Sequence, residues 1–193
     1  MNTLQRLDDI SRITANEFLA KMEITSAPVD VFALAESLPI TVDNSTDVED
    51  RINLSGEIKL DSNRKPLIWV NPLESKNRQR FTMAHELAHL VNDIIPNLSA
   101  VGIDDEFHDS SMNLKRDGRQ DPKEFAANEF AAQLLMPYDF IINETQAVIK
   151  GIKDEKGEKA KVSVSFLLFK LAQKFEVSEQ AMEIRLRRIG VIQ

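Results

Sequence analysis

Apolar residues recur along the chain at helical spacing on both sides of a short β region. Their repeat every three to five positions in residues 4–22 predicts a first amphipathic helix. Pro28 introduces a second short helix over residues 29–38. The same spacing predicts further helices at 75–93, 122–136, 139–149, 166–175 and 179–188.

Three short segments between the second and third helices have the character of β-strands: residues 40–43, 53–60 and 66–71. The second alternates apolar with polar residues, so we expect it to be half-buried. The third contains four consecutive apolar residues from Leu67, as expected of a more buried strand. The pattern therefore predicts the α+β class, with a small three-stranded sheet packed on helices.

The third helix carries the sequence His85-Glu86-Leu87-Ala88-His89. Residues four apart lie on one face of a helix, so His85 and His89 can reach a single zinc ion. Glu86 lies about 100° further round the helix, where it can act as a general base without ligating the metal. The alternative is a chance match with two hydrogen-bonded core histidines, and the pentapeptide alone leaves both interpretations equally open.

A catalytic zinc of this kind needs a third protein ligand, and the helix at 122–136 offers two glutamates. Helical projection places Glu124 at the edge of the apolar face and Glu129 on the solvent side. Glu124 also occupies the third position after Asp121, where it can complete a capping box instead of binding metal. Asn128, one turn after Glu124, is predicted to orient a ligand, or else to be a satisfied buried amide.

The amino-acid composition excludes several kinds of site and activity. The 193-residue chain has no cysteine, which excludes disulfides, thiolate nucleophiles and cysteine-rich zinc modules, so a zinc site needs His and carboxylate ligands. A net charge of −7 argues against broad nucleic-acid binding. Residues 1–12 have no apolar leader pattern, and no apolar run is long enough to span a membrane, so cytoplasmic localisation is expected.

Composition also suggests how the chain is divided. We expect a metallopeptidase-like domain at 1–149, with a long polar loop at 94–120, then a charged linker at 150–161 and a helical hairpin at 162–193. The hairpin resembles a helix-turn-helix and carries Arg185, Arg187 and Arg188. Because glutamates share the same helix, packing is favoured over contact with DNA.

Two longer stretches resemble the ImmA/IrrE family of zinc metallopeptidases. They are Arg-Gln-Arg-Phe-Thr-Met-Ala-His-Glu-Leu-Ala-His at 78–89 and Glu-Phe-Ala-Ala-Asn-Glu-Phe-Ala-Ala-Gln-Leu-Leu-Met-Pro at 124–137. The resemblance implies a minimal gluzincin-like fold with His85, His89 and Glu124 on zinc and Glu86 as the general base. Members typically cleave or inactivate a helix-turn-helix repressor and so release stress, prophage or mobile-element genes. The chain departs from the family pattern at Ala88, where glycine is common.

The expected function is therefore that of a zinc endopeptidase acting on a repressor. A non-proteolytic protein that holds a repressor or antitoxin-like partner, with a structural or vestigial metal site, is the alternative. An oxyanion-stabilising group is not evident from the sequence; His108 and Tyr138 are candidates.

Overall fold

The computed structural model of the chain describes residues 7–46, 48–100, 102, 107–110 (backbone) and 121–192, and it confirms the α+β class. The helices are α1 Ala15–Lys21, α2 Val31–Ser37, α3 Lys76–His89, α4 Pro122–Leu135, α5 Tyr138–Lys156, α6 Val164–Phe175 and α7 Glu179–Arg188. The strands are β1 Thr41–Asp43, β2 Leu54–Leu60, β3 Pro66–Val70 and β4 Phe107–Ser110. Among the described residues, no helix combines the length and apolar character needed to cross a membrane.

The sheet has the order β1-β3-β2-β4. The three predicted strands are present: β1 lies parallel to β3, and β2 and β3 form an antiparallel pair. A fourth strand, β4, pairs antiparallel with β2 and comes from the segment that was expected to be irregular loop. Its sequence Phe-His-Asp-Ser has no apolar alternation, so its pairing through the backbone leaves no hydrophobic signal.

The prediction that β2 is half-buried is wrong, because both of its faces are covered. Ile58 and Leu60 belong to the hydrophobic core. On the other face Ser55 and Glu57 are also buried. The Glu57 carboxylate lies 3.0 Å from Lys59 Nζ, and Ser55 Oγ donates a 2.8 Å hydrogen bond to Glu74. Polar partners, rather than water, therefore satisfy this face.

The predicted first helix is interrupted in the structure. Of the residues assigned to it, 4–6 lie outside the described part of the chain, 7 and 8 are helical, and α1 begins at Ala15. Arg12 has a φ of 52°, a left-handed conformation that a continuous α-helix cannot accommodate. Thr14 and Glu17 then form a capping box that starts a new helix. Local capping outweighs the apolar spacing here.

The charged segment that was expected to be a linker begins as helix. α5 continues to Lys156 and ends at Gly157, whose φ of 89° favours glycine. The charged residues of this region are largely exposed, so they form the solvated face of a helix. The division into domains at 149 and 161 stays a prediction.

Helix α3 is the centre of the fold. The sheet, α2 and α4 pack around it, and every residue from Thr82 to His89 is buried. Ser75 caps its start, and a π-helical turn, Leu90–Ile94, continues it at its end. The predicted buried helix is therefore confirmed.

Two buried arginines form hydrogen bonds between the C-terminal hairpin, α6 and α7, and the helices α3 and α4. Arg80 of α3 donates hydrogen bonds to the carbonyls of Phe175 and Glu176, at the end of α6, and to Val29 before α2. Arg185 of α7 donates to the carbonyl of Met136, at the end of α4. The last carbonyls of a helix have no partner within it, so each guanidinium satisfies groups that would otherwise be buried unpaired.

Gly56 is required by the close approach of β2 to α3. A Cβ at this position would overlap Cγ2 of Thr82 and lie 3.1 Å from Oε1 of Glu86. Gly56→Ala is therefore expected to lower the free energy of unfolding in urea by about 1–3 kcal/mol. Gly151→Ala, in α5 with open space around it, should instead raise it by up to about 1 kcal/mol. Equal stability of the two variants would contradict this account of the packing.

Removing the Arg80 guanidinium should be costly. Arg80→Met leaves the buried carbonyls of Val29 and Phe175, and the partly buried carbonyl of Glu176, without their donor, and we expect the free energy of unfolding to fall by about 2–3 kcal/mol. The matched control is Arg187→Met, because Arg187 makes an exposed pair with Glu183 that is expected to contribute about 0.5 kcal/mol or less. Chemical denaturation of both variants measures the difference. Similar losses of unfolding free energy would show that the hydrogen bonds of Arg80 do not stabilise the packing of the C-terminal hairpin.

Candidate metal centre

Two histidines from α3 and one glutamate from α4 converge in the structure. The Nε2 atoms of His85 and His89 lie 3.1 Å apart. Glu124 places Oε2 3.3 Å from Nε2 of His85 and Oε1 3.3 Å from Nε2 of His89. Both histidines are fully buried, and these three residues offer donor atoms within 4.8 Å of one another, a group that could hold a metal ion.

The spacing of these donor atoms fits a metal ion in tetrahedral coordination. Donors about 2.0–2.1 Å from a tetrahedral zinc lie about 3.3–3.4 Å from one another. The observed separations of 3.1–3.3 Å are close to that value. Two imidazoles and a carboxylate are also a usual ligand set for a zinc site that keeps one position open.

Both imidazoles are oriented through their other ring nitrogen. Nδ1 of His85 lies 3.1 Å from Oδ1 of Asn128, and Nδ1 of His89 lies 2.8 Å from Oδ2 of Asp93. An oxygen acceptor at Nδ1 favours the tautomer that donates from Nδ1 and leaves the lone pair on Nε2. In that tautomer both lone pairs would face Glu124 and could ligate a cation bound there, in place of the protons that otherwise hydrogen-bond to this carboxylate.

The charges around the histidines attract a cation. Burial alone would lower the pKa of His89, but hydrogen bonds to Asp93 and Glu124 and the nearby charge of Glu86 raise it to about 9. Burial alone would raise the pKa of Glu124, yet its hydrogen bonds to the two histidines lower it to about 2. Three carboxylates thus surround two imidazoles, an excess of negative charge that a divalent cation compensates.

Glu86 lies between α3 and the sheet. It is fully buried, and Gly56 of β2 leaves the space that its Oε1 occupies. Its charge contributes to the raised pKa of His89, so it is within electrostatic reach of the site. The role of Glu86 as a general base stays a prediction.

The structure distinguishes between the two expectations for Glu124. Asp121 caps α4 by accepting a hydrogen bond from the amide of Lys123, while the Glu124 carboxylate reaches the histidines. Glu129 lies away from them and pairs with Arg188 of α7. The geometry therefore favours Glu124 as the third ligand, and its binding of metal stays a prediction.

Neither candidate for the oxyanion-stabilising group gains support. Tyr138 is half-exposed at the start of α5. It follows the far end of α4, at least 11 residues or about 16 Å along the axis from Glu124. The backbone of His108 pairs with Glu57 in the sheet, and its side chain lies outside the described atoms.

Asp93 is a functional candidate that the sequence analysis missed. It lies in the π-helical turn after α3, hydrogen-bonds His89, and is 3.3 Å from Nζ of Lys123. These contacts lower the pKa of Asp93, although its burial acts in the opposite direction. The spacing of four residues after His89 was the available signal, because i and i+4 side chains meet on a helix.

A buried helix with two histidines one turn apart, joined by a glutamate from a following helix, is the arrangement of an HExxH-type metallopeptidase. The sequence model of one family, described as peptidase M78 with an IrrE N-terminal-like domain, matches residues 46–187. The chain belongs to this metallopeptidase family, as the resemblance predicted.

A similarity to a solved structure covers more of the chain than the match to the family model does. A Mycobacterium tuberculosis transcriptional regulator aligns with 89% of this chain at a TM-score of 0.53 and 18% identity, which shows a shared fold. This chain corresponds to 44% of the length of that protein. No protein with a curated description matches the sequence.

Asp93→Asn and Asn128→Ala are each expected to weaken zinc binding by about 10–100-fold, because both remove a group that orients a histidine. Titration against a chromophoric chelator measures the affinity. Asp154→Asn, an exposed change on α5, is the matched control and should leave the affinity unchanged. Unaltered affinity in both site variants would show that these contacts do not serve the metal.

Proposed function

We propose that this chain is a zinc-dependent endopeptidase that cleaves or inactivates a helix-turn-helix transcriptional repressor in the cytoplasm. The observation that carries the proposal is the triangle of donor atoms from His85, His89 and Glu124, with the Glu86 carboxylate buried beside it. Membership of a metallopeptidase family supports the reaction class.

Zinc is the ion that this donor set favours. Imidazole nitrogen with a single carboxylate suits Zn²⁺, whereas Mg²⁺ and Ca²⁺ prefer sites made of oxygen atoms. The near-tetrahedral spacing of the donors supports the same choice.

In the proposed reaction, His85, His89 and Glu124 would hold a zinc ion, which would supply Lewis acidity for the activation of water and the polarisation of the scissile carbonyl. Glu86 accepts a proton from the attacking water and passes it to the amine that leaves. Asp93 and Asn128 keep the two imidazoles in a fixed orientation during these steps. The buried position of Glu86 limits its exchange with bulk water.

Two considerations support a repressor as the substrate. The resemblance to ImmA/IrrE proteins implies it, and the structurally similar mycobacterial protein is itself described as a transcriptional regulator. Direct DNA binding by the C-terminal hairpin has less support, because Arg185 is buried and Arg187 and Arg188 pair with glutamates.

The decisive variant is Glu86→Gln, which removes the general base and keeps the three donors. It should bind one zinc per chain but lose at least about 10²-fold in cleavage rate, since general-base catalysis contributes that much or more. The assay uses a purified helix-turn-helix repressor, sought among the products of neighbouring genes, as the substrate and detects cleavage by electrophoresis and mass spectrometry.

Glu158→Gln, an exposed change beyond α5, is the control and should retain full activity. A zinc-loaded Glu86→Gln protein with wild-type activity would overturn the mechanism. Stable binding of the repressor without cleavage by the wild type would instead favour a non-proteolytic regulator.

A further inference from the structure

A groove of about 440 Å³ lies between α3, α4 and α7, outside the metal centre. Its volume is within the range of about 300–1,000 Å³ that is usual for ligand pockets. We call it the α7 groove and define it by Arg78 and Phe81 of α3, Asn128 and Ala132 of α4, and Ile184 and Arg188 of α7.

The α7 groove is adjacent to the metal centre. Asn128 lines the groove and also contacts Nδ1 of His85. Phe81 precedes His85 by four residues, one helical turn of about 6 Å. A peptide in extended conformation covers that distance with about two residues, at about 3.3 Å each. A side chain near a bond held at the metal can therefore reach the groove.

The lining of the α7 groove is apolar with basic edges. Phe81, Ala132 and Ile184 contribute apolar surface, and Ile184 is 57% exposed. Arg78 and Arg188 lie over the rings of Phe81 and Phe125 respectively.

The charge of the lining is opposite to that of the whole protein. The charged residues that line the groove are three arginines (Arg78, Arg185, Arg188) and one glutamate, Glu129, within a chain of net charge −7. Arg78 and Arg188 already make ion pairs with glutamates, yet both side chains remain more than a third exposed and can accept a further acidic partner. Charge complementarity therefore favours an acidic occupant.

We propose that the α7 groove is a substrate subsite, which takes a large apolar side chain followed or preceded by an acidic residue within about two positions of the cleaved bond. This inference rests on the proposed peptidase function. It gives α7 a recognition role, because Ile184 and Arg188 form the outer wall of the subsite. The C-terminal hairpin thus completes the site instead of serving as a separate binding module.

Binding is tested first, without any need for cleavage. The protein is full-length, zinc-loaded Glu86→Gln with labelled alanine and isoleucine methyl groups, and the probe is the peptide acetyl-Gly-Leu-Asp-Gly-amide. We expect saturable shifts of the Ala132 and Ile184 methyl signals. The matched peptide acetyl-Gly-Ala-Lys-Gly-amide should bind about tenfold or more weakly, given the usual effect of pocket contacts. Equal shifts with both peptides, or none with either, would overturn the proposal.

Cleavage is tested second, on a mixture of random peptides whose products are sequenced. Wild-type products should be enriched in large apolar residues next to acidic ones near the new termini. Ile184→Trp fills the groove and should lower kcat/KM for these peptides by about tenfold or more, mainly through KM, with zinc content unchanged. Ile52→Trp, a matched change at an exposed isoleucine outside the groove lining, should behave as wild type.

The two failures are distinguishable. If no peptide is cleaved while the Leu-Asp probe still shifts the groove methyl signals, the peptidase function is wrong and the groove stands as a binding site. If peptides are cleaved without the expected enrichment, or Ile184→Trp retains wild-type kcat/KM, the peptidase function stands and the subsite is wrong.

Discussion

The structure depends on two imidazoles and three carboxylates that lie together at the centre of a small α+β fold. The imidazoles and the Glu86 carboxylate are fully buried, and the other two carboxylates are partly exposed. His85 and His89 are inaccessible to solvent, and Glu86, Asp93 and Glu124 surround them. Such a cluster costs free energy unless its charges are compensated, because a low-dielectric interior penalises unpaired ionised groups. A divalent cation bound as proposed would supply that compensation, and metal binding and folding of the core would then be linked.

Two arginines join the helices that carry the histidines and Glu124 to the C-terminal hairpin. Arg80 of α3 donates hydrogen bonds to carbonyls at the end of α6, and Arg185 of α7 donates to the carbonyl of Met136 at the end of α4. The C-terminal hairpin therefore contacts both helices that contribute to the metal centre. This arrangement links the C-terminal hairpin, which was expected to be a separate segment, to the two helices that position the histidines and Glu124.

Local periodicity was sufficient for the features that depend on one helix. The position of His85 and His89 on α3, and the direction of Glu124 on α4, follow from 100° per residue. β4 was not predictable in this way, since its pairing uses backbone groups and its sequence has no alternation. The burial of Ser55 and Glu57 was also hidden, because polar residues on a strand ordinarily face water. Ser55 contacts Glu74 and Glu57 contacts Lys59, and the spacing of residues in the sequence does not reveal these contacts.

The π-helical turn after α3 connects the metal centre to the hydrophobic core. Leu90–Ile94 supplies Asp93, and three residues of this turn, Leu90, Val91 and Ile94, are buried in that core. Although π-turns are less regular than the α-helix that they continue, this one cannot open without exposing apolar side chains. If an ion is bound as proposed, the amides of 90–94 are expected to exchange with solvent as slowly as the core does, and faster exchange there on chelation would show that the ion stabilises the core itself.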